Sequence, residues 1–421
     1  MVEKNLFPYD LAVAAIFKDE APYLQEWLDY HLLAGVEHFF LYDNGSTDNF
    51  AQVLAPYVAE NFVTLTDWPG KMMQNPAYDD AVEKHRFDCR LMICIDLDEF
   101  VFPKTGATIQ ETVDEIFARD KNIAAVGINW QHFGSNGQSD ADFSRGVLER
   151  FTRRAPDDWT FVNDDGLESG NIYIKSVVNP RLVDYPFGPH YSAYFGDAKS
   201  VNSRGNETFR AGSSPIAAEK IVVNHYYVKS REEFAAKVSR GSAFREKNFK
   251  RMKFFDTYDR NEIFDDGIVR YKNSRAKIFS AETDAERRRR SEKTLVEILT
   301  QCSPFDAPPE FFVGKLETFL TCRALAEKFG TQIGSRPAEE FALVWIYQTL
   351  ANAASLTAAE VYQFVRALPE ILARPFPLNR KIKILTQDFL IPTFCVELKA
   401  AEEFSKRSEL LQLQKFLRLI K

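Results

Sequence analysis

"CRLMICIDLDEFVFP", residues 89–103, is an apolar run that breaks into three carboxylates and then resumes. Leu91 to Ile95 read as a strand covered on both faces, because such strands are continuously apolar rather than alternating. Asp96, Asp98 and Glu99 follow at once. Carboxylates at the end of a core strand are costly unless something binds them. Alternate residues of a strand face the same way, so Asp96 and Asp98 project together if extended geometry continues. Two such groups repel and resist ionising together. A divalent cation resolves the conflict, and Mg²⁺ or Mn²⁺ takes one or two carboxylates and fills its other positions with phosphate oxygens. A turn or N-cap cluster is the alternative reading of the same residues.

Working outward, the chain before this stretch alternates strand and helix signals. "LAVAAIF" (11–17), "HFFLYD" (38–43), "FVTLTDW" (62–68) and "RLMICID" (90–96) read as strands. Between them, "APYLQEWLDYHLLAG" places Leu24, Trp27, Leu28 and His31 at helical spacing with Gly35 as a stop. "NGSTDNFAQVLAPYV" reads as a turn, an N-cap from Ser46 or Thr47, and a helix. "NPAYDDAVEKHRFDC" reads as a helix with an early Pro. This alternation means right-handed βαβ units and a mainly parallel sheet, whose ligands bind beyond the carboxyl ends of the strands. Those ends carry Lys18, Asp19 and Glu20, then Asp43 and Asn44, then Asp67, then Asp96, Asp98 and Glu99.

Downstream, 108–120 reads as an amphipathic helix, 123–133 as a strand, "GSNG" (134–137) as a glycine loop and "DADFSRGVLERFTRRA" as helical. Residues 171–178 and 219–228 read as strands, joined by a long Pro-, Gly- and aromatic-rich loop. "REEFAAKVSRG" reads as a helix. From about 275 the pattern is mostly helical. The 421 residues suit two domains, taken as 1–250 and 275–421. The composition is globular, 45% hydrophobic and 27% charged, and the net charge of −7 argues against nucleic acid as a partner. The first residues do not read as a secretory signal, and no apolar stretch is long enough to span a bilayer. Five scattered cysteines fit a reducing, cytoplasmic setting.

Two further constellations bear on chemistry. In "VVNHYYVKS", His225 and Lys229 lie four apart where a strand gives way to a loop; imidazole can ligate a metal and an ammonium can hold a phosphate, while a core histidine satisfied by a carbonyl is the alternative. In "WQHFGSNG" followed by "VLERF", glycines permit close backbone approach, and Glu149, Asp140 or Asp142 could serve as a base; a surface turn with solvated acids fits equally. "ERRRR" (286–290) reads as a solvated helix face before a phosphate contact. The amphipathic, basic "LLQLQKFLRLIK" at the end suits packing, a homo-oligomer contact or a peripheral membrane contact at the inner face. The chain lacks a G-x-x-x-x-G-K-[ST] loop, a G-x-G-x-x-G after the first strand and a G-x-S-x-G elbow. This disfavours P-loop NTPases, dinucleotide-dependent dehydrogenases and α/β serine hydrolases.

"AIFKDEAPYLQEWLDYHLLAGVEHFFLYDNGSTD", "CIDLDEFVFP", "WQHFGSNG", "ERF" and "VNHYYVKSREEFAAKVSRG" occur in that order. Together, over about residues 8 to 245, they resemble the glycosyltransferase family 2-like and family 92 enzymes. The resemblance implies the GT-A fold, an α/β single Rossmann-like domain with a mainly parallel sheet flanked by helices, here followed by a helical C-terminal region. It implies a nucleoside-diphosphate sugar as donor, a glycan or lipid-linked glycan as acceptor, and Mn²⁺ or Mg²⁺ as cofactor. Asp96 and Asp98 would hold the metal, completed by His225. Lys229 would lie near the diphosphate. Asp19, Glu20 and Asp43 look like the nucleoside pocket, with Gln74, Tyr78 and Arg86 as donor contacts. Glu149 would be the catalytic base and His190 would line the acceptor site. By the same analogy the transfer is inverting; the absence of a recognisable targeting or membrane segment points to bacterial surface polysaccharide or lipopolysaccharide synthesis. The competing classes are a sugar-nucleotide nucleotidyltransferase, disfavoured by the acidic, glycine-free "FKDEAPYL" after the first strand, and a non-catalytic carbohydrate-binding protein.

Overall fold

The computed structural model describes residues 4–186, 188–241, 243, 252–275, 282–301, 307–352, 360, 363, 364 and 367. As far as each is described, they form two compact units. One is Tyr9–Tyr194 with Ala198–Arg287; the other is Met1–Pro8, Phe195–Asp197 and Arg288–Lys421. The amphipathic 410–421 segment lies outside the described residues.

The first unit carries a ten-stranded sheet built from β1 (Tyr9–Phe17), β2 (His38–Asp43), β3 (Val63–Asp67), β4 (Cys89–Cys94), β5 (Glu99–Pro103), β6 (Ile123–His132), β7 (Ile174–Val178), β8 (Lys199–Asn202), β9 (Glu207–Thr208) and β10 (Ile221–His225). Its order is β9-β8-β6-β7-β4-β1-β2-β3, with β10 pairing both β5 and β6. Strands β3, β2, β1 and β4 run parallel, joined by helices α1 (Ala21–Leu33), α2 (Phe50–Ala59) and α3 (Gln74–His85). The apolar runs are continuous because both faces are covered. In β1, Leu11, Val13, Ala15 and Phe17 enter the core that contains Trp27 and Leu28 of α1 and Leu54 of α2. Ala12, Ala14 and Ile16 enter a second core with Ala77, Tyr78 and Ala81 of α3. The two-residue period of the strand thus feeds two different cores.

Three features depart from the sequence reading. First, residues 99–103 form β5, antiparallel to β10, which itself runs parallel to β6. Second, β7 runs antiparallel between β4 and β6. Third, the 140–155 segment is helical only at α5 (Val147–Arg150), because Arg153–Arg154 instead pairs with the short strand Ile263–Phe264. The long loop after β7 is folded as a hairpin, Val183–Pro186 against Ser192–Tyr194. The helix expected at 108–120 is α4 (Ile109–Phe117), capped by Thr108, whose side chain accepts from the Glu111 N–H. "REEFAAKVSRG" forms α6 (Arg231–Arg240) behind a capping box in which Ser230 and Glu233 satisfy each other's backbone N–H.

The described part of the second unit is mainly helical, with a short hairpin of Gln332–Ile333 against Arg336–Pro337. Leu316–Phe329 ends at Gly330 with φ +67, a left-handed stop that favours glycine. Together with Ala338–Asn352 and the 288–300 helical turns, it encloses Leu6, Leu295, Phe312, Phe319 and Trp345. Phe319 and Trp345 stack with centroids 5.0 Å apart. Among the described residues, no helix is long and apolar enough to cross a membrane.

Candidate active site

The strand ends gather on one edge of the sheet, and the acidic stretch sits there. Extended geometry stops at Cys94. Residues 96–99 turn back: the Glu99 N–H donates to the Asp96 carbonyl at 3.1 Å, and the Asp96 N–H donates to Glu99 Oε2 at 2.9 Å. Asp96 and Asp98 therefore do not share one strand face as alternation would have it; each meets its own cation.

Asp96 is held by Lys175 of β7. Lys175 Nζ lies 3.0 Å from Asp96 Oδ2 and 3.1 Å from Glu99 Oε2, and it is fully buried. Burial opposes the lysine's charge, but the Asp96 and Glu99 carboxylates outweigh it and raise its pKa. Asp96 Oδ1 accepts from Gln74 Nε2 at 2.9 Å and from the Tyr78 hydroxyl at 3.3 Å. Burial pushes the Asp96 carboxyl up, yet the Lys175 charge and hydrogen bond bring it below the ordinary value. Glu99 is fully buried and its Oε1 has no hydrogen-bond partner. Burial drives its carboxyl up to about 8, with Lys175 only partly countering.

Asp98 faces the other way. Its Oδ2 accepts from Lys237 Nζ of α6, and its Oδ1 lies 3.6 Å from His225 Nε2. That separation is longer than an ordinary hydrogen bond. Burial raises the Asp98 carboxyl, but Lys237 and His225 hold it well below the usual range. The register explains why His225 is here. At the end of β10 it is the partner of Glu99 across β5 and of His132 across β6. Burial lowers the pKa of both histidines. His225 Nδ1 and His132 Nε2 are buried without hydrogen-bond partners.

Lys229 follows with φ +52, a left-handed backbone for a non-glycine residue. Its Nζ sits 4.2 Å from the centroid of the Tyr23 ring, and burial lowers its pKa. The loops after β1 and β2 are fastened together. The Asp19 N–H donates to Ser46 Oγ at 2.9 Å, the Thr47 N–H donates to Asp19 Oδ1 at 2.7 Å, and the Ser46 N–H donates to Asp43 Oδ1 at 2.9 Å. Ser46 and Thr47 are thus spent on the loop, and the N-cap position of α2 falls to Asn49. Arg240 of α6 donates to the Asp19 carbonyl at 2.8 Å and pairs with Glu20.

Of the residues expected from sequence, the structure brings Asp96, Asp98, His225, Lys229, Gln74 and Tyr78 to this edge, with Asp19 and Glu20 on the loop after β1 and Asp43 at the end of β2. His190 lies nearby: its Nδ1 is 2.9 Å from the Ile174 carbonyl, and its ring is 5.0 Å from that of Trp130, which in turn is 4.4 Å from that of His225. Arg86 is not brought in. It caps the far end of α3, about 18 Å along the helix from Gln74, and pairs with Glu83 at 2.5 Å. Glu149 is exposed on the one-turn α5, and no described interaction joins it to the acidic cluster; its neighbour Arg150 points inward instead, to Glu233 at 2.8 Å. Sequence reading missed Lys175 and Lys237. The signal was a lone lysine inside the apolar "IYIKSVV", and Lys229, Glu233 and Lys237 recurring at i, i+4.

Among the described residues, no group of three or more His, Cys, Asp and Glu side chains is disposed to hold a metal ion. The Asp98–His225 pair nevertheless fits a Mn²⁺ or Mg²⁺ ion of the kind that takes few protein ligands and completes its shell with phosphate and water. Carboxylate and imidazole suit that donor set, and Asp98 Oδ1 and His225 Nε2 lie 3.6 Å apart.

The family model of glycosyltransferase family 92 matches residues 9–263. A glycosyltransferase family 92 protein of Arabidopsis thaliana is 30% identical over 246 residues, covering 56% of this chain and 38% of that protein. Another, of Ricinus communis, is 27% identical over 236 residues, covering 55% and 38%. The chain thus spans 38% of the length of each of these curated plant relatives. Among solved structures, residues 1–349 of S. aureus TarS align over 86% of this chain and 91% of that one, at 10% identity and a TM-score of 0.30. With the matched span taking in the sheet, the acidic turn, β10 and α6, the chain belongs to glycosyltransferase family 92.

Proposed function

We propose that this chain is a metal-dependent glycosyltransferase that moves a sugar from a nucleoside-diphosphate sugar to a hydroxyl of a glycan or lipid-linked glycan, with inversion. The observation that carries the reading is the Asp98–His225 pair, two oxygen- and nitrogen-donor groups facing each other at 3.6 Å on the carboxyl edge of a mainly parallel sheet. Asp98 and His225 would hold Mn²⁺ or Mg²⁺, which supplies electrostatic stabilisation of the departing diphosphate. Lys229 and Lys237 add positive charge beside it. Asp96, anchored by Lys175, Gln74 and Tyr78, is a rigid acceptor for donor hydroxyls. The joined loops at Asp19, Glu20 and Asp43 border the nucleoside. Trp130 and His190 offer ring faces to the acceptor. Surface-polysaccharide or lipopolysaccharide synthesis is the setting proposed for this activity. Glu149, exposed and outside the cluster, is not given the base's role.

The test is Asp98→Ala against wild type in a donor-hydrolysis screen over nucleotide sugars with Mn²⁺. Wild type should release nucleoside diphosphate and the variant should not, while still giving a folded circular-dichroism spectrum and a cooperative unfolding transition. Normal turnover by Asp98→Ala would sink the reading.

A further inference from the structure

The two aspartates of the acidic turn are matched by lysines one to one, Asp96 by Lys175 and Asp98 by Lys237. The two lysines are not equivalent. Lys175 lies in a sheet strand, is fully buried, and is clamped between Asp96 and Glu99. Lys237 lies in the last turn of α6 and keeps some solvent exposure. The same ammonium has partners besides Asp98. Its Nζ donates to the Tyr227 carbonyl at 3.0 Å and sits 3.9 Å from the centroid of the Tyr227 ring. From one position Nζ thus meets Asp98, the Tyr227 carbonyl and the Tyr227 ring, so Asp98 is not the ammonium's only partner. The helix beneath it need not move, since Glu233 is fixed by both guanidinium nitrogens of Arg150 and by the Ser230 cap.

Resting on the function proposed above, we propose that Lys237 is an exchangeable counter-ion: its ammonium holds Asp98 while the donor is absent, yields Asp98 to the divalent cation, and turns to the donor diphosphate. Charge supports the exchange. With Lys237 on Asp98 the acidic turn is neutralised before any cation arrives. A divalent ion alone must compete with an ammonium for the same carboxylate, whereas a diphosphate brings the negative charge that gives the displaced ammonium a new partner. Lys237 thus makes cation and diphosphate binding cooperative, each favouring the other.

The experiment titrates Mn²⁺ by calorimetry, with free Mn²⁺ followed by electron paramagnetic resonance, into wild type, Lys237→Met, Lys237→Gln and Lys237→Arg. It is repeated with UDP, GDP and ADP as probes at saturating Mn²⁺. Without nucleotide, the Met and Gln variants should bind Mn²⁺ on the order of tenfold more tightly than wild type. With Mn²⁺ present, they should bind the preferred diphosphate on the order of tenfold more weakly. Lys237→Arg, which keeps the charge, should behave as wild type. These opposite signs separate exchange from a merely structural role, which would weaken both. Unchanged or weaker Mn²⁺ affinity in the neutral variants overturns the exchange while leaving the proposed function standing. If neither wild type nor any variant binds Mn²⁺, with or without the diphosphates, the metal reading itself falls, and the exchange with it.

Discussion

Glu233→Gln probes the buried ion pair that sets the position of α6, and with it Lys237. Arg150 Nη1 donates to Glu233 Oε2 at 2.8 Å and Nη2 to Oε1 at 2.9 Å, with both side chains almost fully buried. The Tyr23 hydroxyl donates to Oε1 at 3.0 Å and the Ser230 N–H to Oε2 at 3.1 Å. Burial pushes the carboxyl up, but the Arg150 and Ser230 bonds prevail and hold it at about 2 against an ordinary 4.5. Each pH unit of depression is worth about 1.4 kcal/mol, so the carboxylate's surroundings together contribute about 3 kcal/mol, or about 2–3 kcal/mol after allowance for solvent screening. A depressed carboxylate stabilises above its unfolded value and loses that contribution as pH falls. Wild type should therefore lose about 2–3 kcal/mol between about pH 4.5 and pH 2. Glu233→Gln leaves Arg150 as a buried cation without its counter-charge and should cost about 3–5 kcal/mol at pH 7. It should also lack this part of the acid limb. The assay is urea unfolding by tryptophan fluorescence across pH; Trp27, Trp68, Trp130 and Trp159 all lie in the sheet unit. A cost below about 1 kcal/mol at pH 7, or acid limbs of equal depth in the two proteins, would refute the reasoning.

Lys175→Met removes the cation between Asp96 and Glu99 and should destabilise the sheet unit by about 3–5 kcal/mol, seen as a lowered thermal midpoint; an unchanged midpoint would mean that the carboxylates do not depend on it. Glu149→Gln should leave Mn²⁺-dependent nucleoside-diphosphate affinity within about twofold of wild type by calorimetry, because an exposed side chain outside the cluster adds little to that binding; a larger loss would place Glu149 in the donor site.

Much of this was legible before any coordinates. Strands β1, β2 and β4 are continuous apolar runs because they are buried on both faces. The polar residues that end them fall on one edge by the rule that parallel βαβ units impose. Asp98 and His225 were legible as chemistry because a buried carboxylate and a strand-end histidine have few apolar uses. Arg86 was misplaced for a simple reason. Helix α3 starts at the acidic edge with Gln74 and runs back along the sheet, so its last turn lies at the opposite end. The expected helix around Glu149 shrank to one turn because its neighbours found β partners far along the chain.

The sequence by itself determined the periodicities, and through them the α/β class, the strand–helix alternation of the first hundred residues and the acidic turn as the focus. Only the tertiary structure decided which cation meets which carboxylate. Lys175 reaches Asp96 across 79 residues and Lys237 reaches Asp98 across 139. Both pairings depend on β7 running antiparallel beside β4 and on β10 slotting between β5 and β6. The physical reason is range. Periodicity reports the face a residue presents to a core within one element, whereas an ion pair is set by strand register and sheet order, which distant segments settle together when they pack.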